Sequence, residues 1–121
     1  MALESTLISH GLPYPENIKV AKESIKAVEE SGSVAATIGI INGEIIIGLN
    51  ENEIELLATS KNVEKVSLHN IVISLFHKHN AATTVATTIN IATKIGIKFF
   101  ATGGIGGVHL GSEDNLSLIH I

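Results

Sequence analysis

Apolar positions along this chain recur in two rhythms, one helical and one extended, and the two alternate. Ile18, Ala21, Ile25 and Val28 share one face at helical spacing, so a helix is predicted over 18–31, with Asn17 as its cap and Gly32 as its left-handed stop. The continuous apolar run 34–41 reads as a buried strand, and Asn42-Gly43 as a type I′ turn returning the chain through 44–48. Asn50 and Glu53 form a capping-box pattern ahead of a short helix with Ile54, Leu56 and Leu57 on its inner side. A short strand is predicted over 63–66. Helices follow over 68–78, ended by Asn80, and over 84–94, stopped by Gly96; a last strand spans 97–102. The first residues, 2–8, read as a strand already under way, and 9–15 as a Gly/Pro loop. This alternation predicts an α/β fold, a three-layer α/β/α arrangement with a mixed sheet, truncated at both ends. Residues 1–115 read as part of one domain. Residues 116–121 carry no turn signal and no link to the preceding pattern, and are expected to be a non-native tail.

Composition narrows the class. At 121 residues, 45 % hydrophobic and 17 % charged, the chain is globular material with an aliphatic core, since aromatics are only 3 %. A net charge of −4 argues against a nucleic-acid-binding face but not against one local anion site. There is no cysteine, hence no disulfide framework and no thiolate metal site. No apolar run has the length of a membrane span, and no signal-peptide pattern opens the chain. A cytoplasmic location without membrane partners is expected.

Chemistry concentrates near 101–109, Ala-Thr-Gly-Gly-Ile-Gly-Gly-Val-His, where an apolar strand runs into four glycines. Glycine lets the main chain approach a ligand closely, and bare N–H groups at a strand tip are a common phosphate cradle; a plain flexible turn is the other reading. Glu4 lies within an apolar strand. It is either a strand-end carboxylate facing solvent or an acid suited to proton donation. His10 reads as a surface loop histidine. Lys65 is either a solvated lysine or a point-charge partner for phosphate. Thr83 and Thr84 open a helix, where N-capping and anion binding explain them equally well. His77 and His79 stand two apart and do not share a helix face, so they read as a solvated helix end. The glycine loop lacks the Lys-Ser/Thr of a P-loop, and His109 replaces the last glycine of a dinucleotide fingerprint.

Five blocks in order, at 2–6, 9–15, 63–67, 82–86 and 100–109, resemble the pseudouridine-5′-phosphate glycosidase family, which includes the indigoidine-synthase-A-like proteins. The family's chains are more than twice as long, so this one resembles their N-terminal part. The resemblance implies a glycosidase, formally a hydrolase or lyase, of pseudouridine catabolism. It cleaves pseudouridine 5′-phosphate reversibly to uracil and ribose 5-phosphate. The broken bond is C–C, which protonation of a leaving oxygen or nitrogen does not cleave. The family instead forms a lysine imine at C1′, assisted by Mn2+, in a homotrimer. By position, the resemblance makes Glu4 the proton donor. It assigns substrate contacts to Lys65, Thr84, Val85, Thr102, Gly103, Gly104, Gly106, Gly107 and His109.

Two departures stand out. Leu68-His69-Asn70 replaces the family's Arg-Arg-Asp. The Asp-Ile-Ser-Ala-Asp block, which implies the metal ligand, and the imine lysine beyond it are not in this sequence. The chain alone is therefore expected to be inactive and to leave apolar faces uncovered. Alternatives are a non-catalytic phosphate-sugar-binding module, or part of a fusion with a sugar kinase.

Overall fold

A computed structural model describes residues 1–104 of the chain. Six strands form one mixed sheet: β1 (Ala2–Leu3), β2 (Ala36–Ile41), β3 (Glu44–Ile47), β4 (Glu64–Val66), β5 (Ala81–Thr83) and β6 (Phe100–Ala101). Helices α1 (Glu16–Glu30), α2 (Glu51–Thr59), α3 (Ile71–Phe76) and α4 (Val85–Lys94) alternate with them. The hydrogen-bonded order is β4-β5-β2-β1-β6, with β3 also on β2. β1 runs parallel to β2 and β6, and β4 parallel to β5, while β3 and β5 run antiparallel to β2.

Successive backbone polar groups of a strand point to opposite edges. Ala36 N–H donates to Met1 O and Ile38 O accepts from the Thr83 hydroxyl, whereas Thr37 O accepts from the N–H groups of Gly48 and Leu49. β1 and β5 therefore share one edge of β2, and β3 takes the other. Running in opposite directions along that edge, β1 and β5 meet with their carboxyl ends facing. Ser5 and Thr83 join them: Thr83 N–H donates to Ser5 Oγ (2.8 Å), and the two hydroxyls stand 3.3 Å apart.

Strand alternation sorts the core into two layers. Ile38 and Ile40 point to the side covered by α3 and α4, where they pack with Ala2, Val66, Ala81, Ile91 and Ala92. The opposite side holds Ile8, Ala21, Leu49, Ile54 and Leu57 beneath α1 and α2. Gly39 lies on this second side, where a Cβ would stand 2.9 Å from Leu49 Cδ1 and 3.2 Å from Leu57 Cδ1, so its bare backbone lets those two side chains pack close on β2. The three-layer mixed-sheet expectation holds.

Several local expectations change. Strand β1 stops at Leu3 instead of running to Ile8, because Ser5 spends its side chain on β5 and its carbonyl on the N–H groups of Ile8 and Ser9. The chain then winds into a wide π-helical turn, Leu7–Gly11. Asn17 does not cap α1; it lies inside the helix, buried. There its amide donates to Ile8 O (2.8 Å) and Ala58 O (3.1 Å), tying the π-turn to α2. Leu56 is exposed, not inward. The third helix is only Ile71–Phe76, and Asn80 does not end it: its Oδ1 accepts from Asn42 N–H at the hairpin turn. The last strand shrinks to Phe100–Ala101. His79 is not a solvated helix end either. Its Nδ1 lies 2.8 Å from Glu64 Oε1, and its ring stacks on that of His77 at 5.5 Å.

Other expectations stand. The Asn50–Glu53 capping box is complete, Asn42 and Gly43 take positive φ in the hairpin, and Gly32 and Gly96 follow their helices in the left-handed region. Among the described residues no helix is long and apolar enough to cross a membrane. Large apolar side chains do remain exposed, including Val72 and Phe76 on α3 and Phe99 before β6. The suspected tail, 116–121, lies outside the described residues.

Two outcomes follow for stability. Thr83→Val leaves Ile38 O and the hydroxyl hydrogens of Ser5 and Thr88 without their buried partner, and is expected to cost about 2 kcal/mol in denaturant unfolding. On acidification, His10 is the group to watch. Desolvation holds its pKa below the ordinary 6.5, helped by the Lys65 charge and opposed by its bond to Val63 O. The unfolded chain takes up that proton first, so this contribution is whole above pH 6.5 and is lost as pH falls through the folded value. The thermal midpoint is expected to drop below neutrality, and His10→Gln to flatten the drop.

Candidate active site

The site forms where four strands end. β1 and β6 run in parallel register, Leu3 opposite Ala101, so Glu4 and Thr102 leave the sheet side by side. β4 and β5 do the same, Val66 opposite Thr83, which brings Ser67 and Thr84 abreast. The head-to-head meeting of β1 and β5 then sets these two pairs of strand ends against one another. Open α/β sheets bind ligands outside the carboxyl ends of strands, and here the carboxyl ends of β1 and β5 face each other at the Ser5–Thr83 junction.

A cavity of about 290 Å³ opens at the β1–β6 half of this region. Leu3, Thr37 and Ala101 form its floor, Leu7 and Ile8 of the π-turn one wall, and Ala21, Ser24, Ala27 and Val28 of α1 another; Glu4, Thr102 and Gly103 stand at the strand ends. The lining is mainly apolar. The Thr102 hydroxyl donates to Glu4 Oε1, so the carboxyl is held by a residue 98 positions away. Glu4 is thus neither a freely solvated strand end nor buried inside a continuous strand. Thr6 Oγ1, two residues on, is buried without a hydrogen-bond partner, a deficit that a bound polar group would relieve.

The junction itself is a network of hydroxyls. Thr83 Oγ1 has one hydrogen and two lone pairs, and Ile38 O, an acceptor only, takes that hydrogen at 2.8 Å. Ser5 (3.3 Å) and Thr88 (2.8 Å) must then both donate to Thr83. Thr87 Oγ1 donates to Val66 O (3.0 Å), and Thr84 N–H to the same carbonyl (3.1 Å). Every member is buried. Sequence reasoning missed Ser5, Thr87 and Thr88 as elements of the site. The available signal was the Thr83/Thr84–Thr87/Thr88 spacing, which puts hydroxyls on one face of the first turn of α4.

The resemblance-derived residues separate into groups. Glu4, Thr102 and Gly103 come together at the cavity, and Gly104 joins them through its N–H, 3.3 Å from Thr102 Oγ1. Thr84 is the N-cap of α4, its hydroxyl accepting from Thr87 N–H, so capping occupies that acceptor. Val85 opens the helix, and its N–H belongs to the first turn, which has no intrahelical partners. Both adjoin the Ser5–Thr83 junction. Lys65 is exposed and does not line the cavity. Alternation along β4 places it on the same side of the sheet, opposite to Val66, with the π-turn's His10 between: His10 Nε2 bonds Val63 O at 3.1 Å while Nδ1 meets the Ser9 hydroxyl at 2.6 Å. Ser67, just before the first departure from the family pattern, has its N–H and hydroxyl engaged by Asn70 and His69. Gly106, Gly107 and His109 lie outside the described residues. Among the described residues no cluster of three His, Asp or Glu side chains is placed to hold a metal ion.

Comparison with known proteins assigns this architecture. A family model described as indigoidine synthase A like protein matches residues 1–118. Pseudouridine-5′-phosphate glycosidases from Petrotoga mobilis and Caldanaerobacter subterraneus subsp. tengcongensis are 50 % and 52 % identical over 118 residues, 98 % of this chain. Those 118 residues are only 39 % and 38 % of the relatives' own lengths, so the chain spans about two fifths of the curated relatives it matches. Among solved structures, an indigoidine synthase A-like protein from Thermotoga maritima superposes with a TM-score of 0.84 at 39 % identity, covering 92 % of this chain and 38 % of that one. The prealnumycin C-glycosynthase AlnA, in complex with ribulose 5-phosphate, gives a TM-score of 0.78 at 43 % identity, covering 95 % and 37 %. A family-model match over residues 1–118, with about half of the residues identical to the curated relatives and a fold that superposes at a TM-score of 0.84, establishes that the chain belongs to the indigoidine synthase A-like family.

Proposed function

We propose that this chain forms the acid-bearing part of a pseudouridine-5′-phosphate glycosidase, which cleaves its substrate reversibly to uracil and ribose 5-phosphate. The observation that carries the reading is Glu4 at the carboxyl end of β1, held by Thr102 at the mouth of a largely apolar cavity. When this C–C glycosidic bond breaks, the departing uracil carbon keeps the bonding pair and uses it to take a proton, and C1′ of the sugar is left electron-poor. Glu4 supplies the proton. A lysine nitrogen makes C1′ good by forming an imine there, and that lysine is expected further along the full-length chain. The names of the relatives, and the ribulose 5-phosphate complex of the C-glycosynthase, support a sugar-phosphate substrate.

The phosphate belongs, in this reading, at the glycine loop beginning with Gly103 and Gly104, with the first N–H groups of α4 and Lys65 on the neighbouring strand ends. Lys65 acts across the π-turn as a point charge rather than as a wall of the cavity. The family's Mn2+ does not fit the described residues: Glu4 is the single carboxylate of the cavity, and no three-ligand cluster accompanies it. The ligand aspartate is expected further along the full-length chain. A cytoplasmic homotrimer is the expected form of that full-length protein, and Val72 and Phe76 are exposed faces it would have to cover.

The first test is direct. The 121-residue polypeptide, incubated with pseudouridine 5′-phosphate and Mn2+, is expected to release no uracil; release would refute dependence on a lysine outside it. Binding of ribose 5-phosphate with no release from the full-length protein would instead favour the phosphate-sugar-binding module. In the full-length protein, Glu4→Gln is expected to lower kcat for uracil release by about 100-fold or more, with substrate binding retained. Undiminished turnover would remove Glu4 from the proton-donor role.

A further inference from the structure

The bond from Thr102 to Glu4 has a structure of its own. Thr102 Oγ1 meets three groups: Glu4 Oε1, the Gly104 N–H at 3.3 Å and the Gly104 carbonyl oxygen at 3.0 Å. A hydroxyl has one hydrogen to give. Gly104 N–H is only a donor, so it fills a lone pair of Oγ1. Glu4 Oε1 and Gly104 O compete for the single hydrogen. An ionised carboxylate is the stronger acceptor, so the chain of donors runs from Gly104 N–H through Thr102 to Oε1.

That direction constrains the carboxyl. Oε1 serves as an acceptor from Thr102 when Glu4 is ionised, and equally when Glu4 carries its proton on Oε2. Neither state requires the carboxyl to turn. A proton on Oε1 would break the chain and send the hydroxyl hydrogen to Gly104 O. The ordering therefore directs the transferable proton to Oε2. Among the described residues no other ionisable side chain lines the cavity to compete for Oε1. The partners reside on neighbouring strands in register, Leu3 opposite Ala101, so the sheet itself fixes their separation.

We infer that Thr102 is a positioning residue for proton transfer. It holds Glu4 Oε1, reserves Oε2 for the reacting carbon, and ties the carboxyl to the first peptide of the glycine loop. This rests on the reading of Glu4 as proton donor, and it replaces a substrate contact as the main task of Thr102. Preorganised donors of this kind act without reorganisation during the reaction.

The test compares Thr102→Val, Thr102→Ser and Glu4→Gln in the full-length protein, measuring kcat, KM and the pH dependence of kcat for uracil release. Thr102→Val is expected to lower kcat about tenfold, the scale of a general acid held out of line, with KM little changed. It is also expected to displace the limb of the kcat–pH profile set by the acid. Thr102→Ser keeps the hydroxyl and is expected to restore both. A rise in KM alone in Thr102→Val, with the profile unmoved, would make Thr102 a substrate contact and overturn the inference. So would a serine variant as poor as valine with an unmoved profile, which would assign the loss to methyl packing. Survival of activity in Glu4→Gln is a separate result: it ends the proton-donor reading, whatever the threonine variants do.

Discussion

The buried meeting of Ser5 with Thr83 is the constraint on which the site depends. Two strands that approach end to end cannot extend their ladders across the gap, so the backbone groups there need side-chain partners. Ser5 takes Thr83 N–H, and Thr83 takes Ile38 O from the strand that flanks both. A valine in place of Thr83 would fill nearly the same volume, yet would leave polar atoms in a dry interior. The order of proton donation through these hydroxyls is fixed by a single carbonyl, which makes the junction specific as well as satisfied.

That junction also explains why the apparent first strand was misread. From the sequence, 2–8 has the apolar density of a strand, and nothing in it reports that Ser5 is needed elsewhere. Asn17 is similar: it stands where a cap belongs, but its amide is taken by carbonyls of the π-turn and α2, 9 and 41 residues away. Local signals succeeded where the deciding partners are local. The Asn50–Glu53 box, the Asn42-Gly43 turn and the glycines after α1 and α4 were all legible, since each acts within a few residues. Of the site, Glu4 was visible as a carboxylate among apolar neighbours, and Thr102 as the entry to a glycine loop. Their contact was not visible, because it depends on β6 pairing beside β1.

The geometry separates two tasks that the motif blocks run together. Glu4 and Thr102 are spaced by the sheet and stand half-buried beside the cavity that α1 and the π-turn wall. Lys65 and the start of α4 belong to neighbouring strand ends on the far side of the Ser5–Thr83 junction. A phosphorylated sugar bridging the two would span the head-to-head meeting of the strands. Loops at strand ends vary more freely than the strands beneath them, and relatives named a glycosidase and a C-glycosynthase both align with more than nine-tenths of this chain.

The place of β1 between β2 and β6 bears on how the chain matures during synthesis. Its pairing with β2 closes over about 34 residues, but its other flank waits for Phe100 and Ala101. Until a ribosome has delivered those residues, a central strand presents a bare edge and the acid it carries has no holder. Long-range pairing of this sort is slow, and unpaired edges attract foreign strands. The nascent protein thus passes through an interval in which one edge of this buried strand stays open.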